Sequence, residues 1–407
     1  MYRWSKYNYT TANEHNVIIW NTYSGALLKM EVDFYNKIIN NDLNSISPSD
    51  ITSLIKNGFL LTDKGKAFGD SIAKIKPKKK VSFTIALTNK CNAQCYYCYQ
   101  HNNTFSNKLT TSTKNLDNIA NFIVNQSKNC KAIITWFGGE PLLKYNAIKY
   151  ICKKLILNKV DFVSSIITNG AFMELSLMNE YNDIIHLKDI QITIDGLSEK
   201  HNKRKNILLG NLFEKVITLI YGLLDNEMTV RIRINISKYN LDEANEIFQY
   251  LHKCYHNYKK CYIYFALVSD DNNFHEFAFK ENEREHILNT LYNKEYFQKT
   301  NYKLPKRRIH YCGKNSPCSH FIDIYGNIYM CEHDFWNLNK IIGTITELKG
   351  THCCKIVDPL SLNLKCSDCT FLPVCQGGCT RNGYNECPAF IFRAKSYLKS
   401  LLELNND

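Results

Sequence analysis

The sequence predicts an α/β protein: an open, partial (β/α)6 barrel, preceded by a small separate unit and followed by a loop-rich, cysteine-rich tail. Three observations carry this. Six short runs rich in β-branched and aromatic residues alternate with helical stretches over residues 81–300. Such repeats build a parallel sheet with right-handed crossovers, and six are too few to close an eight-fold barrel. The striped pattern stops near residue 300, and ten of the seventeen cysteines lie from Cys312 onward. A region with so little periodic apolar sequence needs something besides a large core to hold it, and bound metal fits.

Residues 1–73 form the first unit. NVIIW (16–20) and GALLKM (25–30) predict a hairpin around NTYS, and EVDFYNKIIN (31–40) has helical apolar spacing. SPSDITSLIKNGFLL (47–61) predicts a helix capped by Ser47 or Ser49, ending at Gly58 before a short strand. Strand, helix, helix and strand in so short a unit resemble a winged-helix-like module. KIKPKKK (74–80) follows as a solvated linker, with a docking site for an acidic segment as the alternative. The barrel strands are VSFTIAL (81–87), AIITWF (132–137), FVSSIIT (162–168), DIQITID (189–195), VRIRINI (230–236) and YIYFAL (262–267). Helices are expected at 113–126 and 211–224 between them. A cysteine-rich domain is expected over 305–388 and a C-terminal helix over 389–407.

The 407 residues include 44% hydrophobic side chains, enough for a sizeable core. There is no run of 18 apolar residues, and the N-terminus lacks a basic stretch followed by an apolar one. A cytoplasmic protein without a membrane partner is expected. In that setting seventeen cysteines point to metal or redox work before disulfides. The formal charge of +13 suits an acidic partner such as a peptide. Cys130, Cys152, Cys254 and Cys261 fall in or beside regular elements and read as buried core thiols.

The chemistry starts in CNAQCYYCYQ. Cys91, Cys95 and Cys98 directly follow the first barrel strand, which places them at the catalytic end of a βα architecture. Three thiolates suit three irons of a [4Fe–4S] cube, leaving the fourth open to a small molecule. A zinc site with a borrowed fourth ligand is the alternative.

With Tyr97 before the third cysteine, the motif resembles that of the radical S-adenosylmethionine (SAM) enzymes. The resemblance continues in FGGEP (137–141), TNG (168–170), ITIDG (192–196) and RIN (233–235), each at or near a strand end or on a strand. It implies that SAM chelates the open iron and is cleaved to methionine and a 5′-deoxyadenosyl radical. It also implies a cofactor site of Gly138, Gly139, Glu140, Thr168, Asn169, Thr193, Asp195, Arg204 and Arg233. Arg204 takes the part of the basic residue facing the SAM carboxylate. The family commonly has Ser where this chain has Thr193.

The tail resembles the SPASM domain of radical SAM enzymes that modify peptides and proteins. The resemblance implies two further [4Fe–4S] clusters, three in all. Cys312, Cys318, Cys331 and Cys379 would hold one; Cys366, Cys369, Cys375 and Cys387 would hold the other, with Cys353 or Cys354 as replacements. The CxxC spacing serves zinc ribbons equally well. Related sulfatase maturases commonly carry an Asp base right after the cysteine matching Cys331, and generally lack the first 70 residues. Here that position is Glu332, the candidate catalytic residue.

The expectation is a peptide maturase that abstracts hydrogen from a ribosomally made precursor. Its first unit would hold the precursor's leader by strand addition. The product would be a thioether cross-link, with a carbon–carbon link next. The family also implies an electron donor such as flavodoxin or ferredoxin. One alternative is sulfatase-maturase-like oxidation of Cys or Ser to formylglycine. Another is a zinc-ribbon nucleic-acid binding protein, for which the sequence offers no groove-reading basic helix; no nucleic-acid partner is expected.

Overall fold

The protein is described by a computed structural model over residues 2–62, 80–100, 112–207, 210–268, 276–308, 312–316, 318–347, 364–379 and 387–403. Most of the basic linker, along with Cys353 and Cys354, lies outside these residues. The chain divides into two compact units: 1–76 with 282–315 and 356–407, and 77–281 with 316–355. The stretch expected as one cysteine-rich domain, 305–388, therefore contributes to both.

In the first unit, β1 (Tyr2–Trp4) pairs antiparallel with β5 (Leu60–Thr62). β2 (Asn8–Ala12), β3 (Asn16–Asn21) and β4 (Leu27–Glu31) form an antiparallel sheet with β3 in the centre. The hairpin around NTYS is present; β1 and β2 were not legible, because their Tyr, Thr and Asn carry no apolar alternation. Helices span Val32–Ile39 and Pro48–Lys56, the second capped by Ser47, whose side chain accepts from Asp50 N. Val17, Ile19, Met30, Ile38, Leu54 and Phe59 are buried together.

The second unit is built on one nine-stranded sheet. Its parallel part holds β6 (Lys80–Ala86), β7 (Lys131–Phe137), β8 (Phe162–Thr168), β9 (Leu187–Thr193), β10 (Thr229–Ile236) and β11 (Cys261–Leu267) in sequential order. These are the six expected strands, each within two residues at either end. Their side chains alternate: Phe83, Ile134, Ile166, Ile190 and Ile232 are fully buried. The other face is half-buried and rich in polar groups, with Thr135, Ser165, Gln191, Thr193 and Arg233 beside Ile133, Val163 and Ile167. Parallel sheets are normally apolar on both faces. A polar inner face marks the side on which a ligand sits.

The sheet then continues where loops were expected. β12 (Ser319–Asp323) lies parallel to β6, and β13 (Asn327–Tyr329) and β14 (Ile341–Thr344) follow antiparallel. The strands are too short to show a stripe. Asp323 makes the turn: its carboxylate accepts from Tyr325 N, Asn327 N, Asn327 Nδ2 and Tyr329 OH. Of the four cysteines expected as core thiols, Cys152 is buried, whereas Cys130, Cys254 and Cys261 are half-buried. Among the described residues no helix is long and apolar enough to cross a membrane.

Candidate functional site

A cleft of about 300 Å³ opens at the C-terminal ends of the parallel strands, large enough for a small ligand. Cys91, Cys95 and Cys98 line it, opposite Gly138, Gly139, Thr168, Asn169, Thr193 and Arg233. The FGGEP segment is fastened to the loop before the cysteines: Gly139 N donates to Thr88 O at 2.7 Å and Glu140 N to Lys90 O at 2.9 Å. A Cβ on Gly138 would overlap the Thr88 carbonyl oxygen, and one on Gly139 that of Lys90. Gly138 also sits at φ +133°, so glycine is required there for two reasons.

Glu140 is a brace, with no exposed surface. Its carboxylate accepts from Leu142 N at 3.1 Å, Thr168 Oγ1 at 2.8 Å and Asn169 N at 2.9 Å, tying the β7 end to the β8 end. Burial raises its pKa, and those donors pull it back. Asn169 Nδ2 donates to Asn92 Oδ1 at 2.8 Å and to Cys91 Sγ at 3.8 Å. Cys91 Sγ also accepts from Ala93 N at 3.3 Å. Burial first, then Glu140 and the neighbouring thiols, push Cys91 up to about 11, and burial first, then Asp195, raise Cys95. Thiols so placed ionise readily only with cations among them, which a cluster supplies.

Arg204 is not among the residues that line the cleft. Its guanidinium makes a bidentate pair with Glu243, both contacts 2.9 Å, and donates to Asp195 O at 2.7 Å. Lys205, one residue on, lines the cleft, as Arg233 does from β10. Its Nζ lies 2.8 Å from Asp195 Oδ2 and donates to Tyr97 OH at 2.9 Å. Tyr97 OH in turn donates to Asp195. Burial alone would lower the Lys205 pKa; Asp195, then the Cys95 thiol, outweigh it and the net direction is up. Asp195 is therefore an anchor beneath the site. Its backbone N–H donates to His201 Nδ1 at 3.2 Å. Burial pushes that imidazole down to about 3, so it is neutral. Lys205, His201 and Glu243 were missed from the sequence. The run KRK offers three cations in a row, and only a helical phase already known distinguishes them.

Glu332 and His333 stand at the cleft wall, carried there by the β13 end. The His333 ring packs on Tyr99 at 4.7 Å. Arg233 Nε donates to Asn235 Oδ1 at 2.7 Å. Burial first, then Glu332, raise the Tyr99 phenol far above its usual range.

In the first unit, a turn and a short helix bring Cys366, Cys369 and Cys375 together, with Cys369 N donating to Cys366 O at 3.2 Å. Cys375 is buried and pushed up to about 12 by burial, then by the thiols of Cys387, Cys369 and Cys366. Burial raises Cys387 too, as do Cys369 and Cys366. These four stand within electrostatic reach of one another. Cys312 and Cys379 belong to the first unit, and Cys318 and Cys331 to the second. Cys318 lies beside Cys130, and burial, then that thiol, raise it. Among the described residues no three His, Cys, Asp or Glu side chains converge on one point where a single ion would sit. A cluster gives each thiolate its own iron, so the cleft thiols suit a cluster with one open corner.

Residues 85–266 match the Radical SAM superfamily. A cysteine-type anaerobic sulfatase-maturating enzyme of Clostridium novyi is 24% identical over 328 residues, 72% of this chain and 86% of that one. The fold resembles native anSMEcpe with bound AdoMet and Kp18Cys peptide, with a TM-score of 0.59 and 18% identity, covering 80% of this chain and 98% of that one. It also resembles Streptococcus suis SuiB bound to precursor peptide SuiA. There the TM-score is 0.53 and the identity 13%, with 96% of this chain and 99% of that one covered. The cysteine cleft and its glycine cradle lie within residues 85–266, the segment that matches the Radical SAM superfamily, a family of enzymes that uses SAM and a [4Fe–4S] cluster.

Proposed function

We propose that this chain is a radical SAM enzyme that matures a ribosomally made precursor peptide by closing a cross-link, with a thioether as the first product to seek. The observation that carries this is the cleft itself: three thiols facing a glycine cradle and a buried cation, with the polar inner face of the barrel beside it. In the cleft, Cys91, Cys95 and Cys98 would hold the cluster. The Gly138–Glu140 backbone would receive the SAM amine. Lys205, in place of the expected Arg204, would face the SAM carboxylate, with Tyr97 and Asp195 fixing its position. When bound, the cluster and SAM supply the 5′-deoxyadenosyl radical that removes hydrogen from the peptide. Arg233, Asn235 and Thr193 would orient SAM and peptide from the strand ends; as the link closes, Glu332 would take the proton released and a further iron–sulfur cluster would supply the acceptor for the electron.

A further cluster, on Cys366, Cys369, Cys375 and Cys387, is part of the reading. SuiB is bound to a precursor peptide, and its fold matches 96% of this chain, the first unit included. In that unit β4 is a sheet edge, with Leu27, Lys29 and Glu31 exposed along it. An extended leader would pair there as an added strand. The Clostridium novyi likeness favours a second reading, oxidation of Cys or Ser to formylglycine. Co-expression with candidate precursor peptides and with a sulfatase fragment, followed by mass measurement, separates them. Loss of two hydrogens from a peptide, with a link that survives reduction and alkylation, supports cross-linking. Formylglycine in the sulfatase and no change in any peptide overturns it.

A further inference from the structure

Strand β3, NVIIWN, is apolar on both faces, and the two faces serve different cores. Val17 and Ile19 pack with the helices that follow β4. Ile18 and Trp20 pack with Val374 and Cys375 and with Ile391, Ala394 and Leu398 of the C-terminal helix. The unit read from sequence as separate therefore shares a core with the segment that carries the second cysteine set. Polar contacts fasten the same segment. Lys6 Nζ donates to Ser367 O at 3.1 Å, Thr22 Oγ1 donates to Thr370 O, and the Tyr9 and Phe371 rings lie 5.0 Å apart. Each contact falls between Cys366 and Cys375, so the N-terminal strands hold the loop that spaces three of the four thiols.

Trp20 adds a second, independent observation. Its side chain is fully buried, 0% exposed, and its Nε1–H has no acceptor among the described residues. A buried indole N–H ordinarily finds a partner. Sulfurs of an iron–sulfur cluster accept hydrogen bonds, and such bonds help set its reduction potential. Resting on the reading that Cys366, Cys369, Cys375 and Cys387 hold a cluster, we propose that the N-terminal sheet is a wall of that iron–sulfur site. Trp20 donates its Nε1–H to one of the site's sulfurs. The donor favours the more negative, reduced state and so raises the potential. It also excludes water from one side, leaving Trp20 as a positioning and tuning residue.

The test uses full-length reconstituted protein carrying Cys91→Ala, Cys95→Ala and Cys98→Ala, so that the cleft thiols contribute no signal. Trp20→Phe keeps the packing and removes the N–H. Iron content is expected to stay level, the midpoint potential to fall, and a coupling to an exchangeable proton in the reduced site's magnetic resonance spectrum to disappear. Full iron with unchanged potential and coupling overturns the role of Trp20. If Trp20→Phe loses its iron, protein labelled with indole ¹⁵N decides: a ¹⁵N coupling to the reduced site supports the proposal and its absence overturns it. Cys366→Ala with Cys369→Ala, if it leaves iron unchanged, overturns the cluster reading and this proposal with it. The earlier failures overturn the Trp20 donor alone.

Discussion

Replacing Lys205 by Met removes a cation that is 3% exposed and 2.8 Å from Asp195, itself 0% exposed. At an effective dielectric of about 20, unit charges that close attract by roughly 6 kcal/mol. Desolvation cancels much of that in the intact pair, but not in the variant, where Asp195 is left buried and alone. Breaking one side of a buried pair costs about 3–5 kcal/mol. For a unit of this size that lowers the unfolding midpoint by roughly 10 °C. Asp195→Asn added to Lys205→Met removes the orphaned charge while keeping acceptors for Asn235 N and a partner for Tyr97. The double variant should recover to within about 1–2 kcal/mol of the parent, a coupling of the size seen between contacting residues. SAM affinity should not recover: both variants should bind at least about ten-fold more weakly, or about 1.4 kcal/mol. The assays are thermal unfolding followed by calorimetry and equilibrium dialysis of SAM on reconstituted protein. A Lys205→Met protein as stable as the parent refutes the ion-pair reasoning. One that binds SAM unchanged returns the carboxylate to Arg204.

Gly139→Ala puts a methyl group into the Lys90 carbonyl, so the loop before Cys91 must move; SAM cleavage should fall at least about ten-fold with the circular dichroism spectrum intact. Joint replacement of Cys366, Cys369, Cys375 and Cys387 by Ala should remove about four irons, with SAM cleavage surviving; replacing Cys91, Cys95 and Cys98 should abolish cleavage. His201 is pushed down to about 3, below its unfolded value near 6.5. Between those values the unfolded chain binds the extra proton. Its contribution to stability is complete above pH 6.5 and is lost as pH falls toward 3, by up to about 1.4 kcal/mol per pH unit. His201→Asn, which keeps an acceptor for Asp195 N, should flatten that slope in urea titrations of the apo-protein.

The linear order of β-rich runs determined the six parallel strands, because period-two burial needs no information beyond each strand. The cysteine spacing and FGGEP determined where the cleft would open, since both follow strands directly and βα loops gather at one end. What only the tertiary structure decided are matters of phase and partnership. Arg204 and Lys205 are neighbours of like charge, and which one reaches the cleft depends on where Glu243 and Asp195 lie in space. β12 to β14 were hidden because three to five residues carry no readable stripe, and the pairing of β12 with β6 that joins them to the sheet is long-range. VIIW (17–20) does carry a trace of the shared core, for four successive apolar residues signal a strand covered on both faces. The sequence alone does not say what covers the second face. In the folded chain Val374, Cys375 and the C-terminal helix, more than 350 residues away, cover it, because burying Ile18 and Trp20 takes apolar partners that neighbouring sequence does not supply to that face.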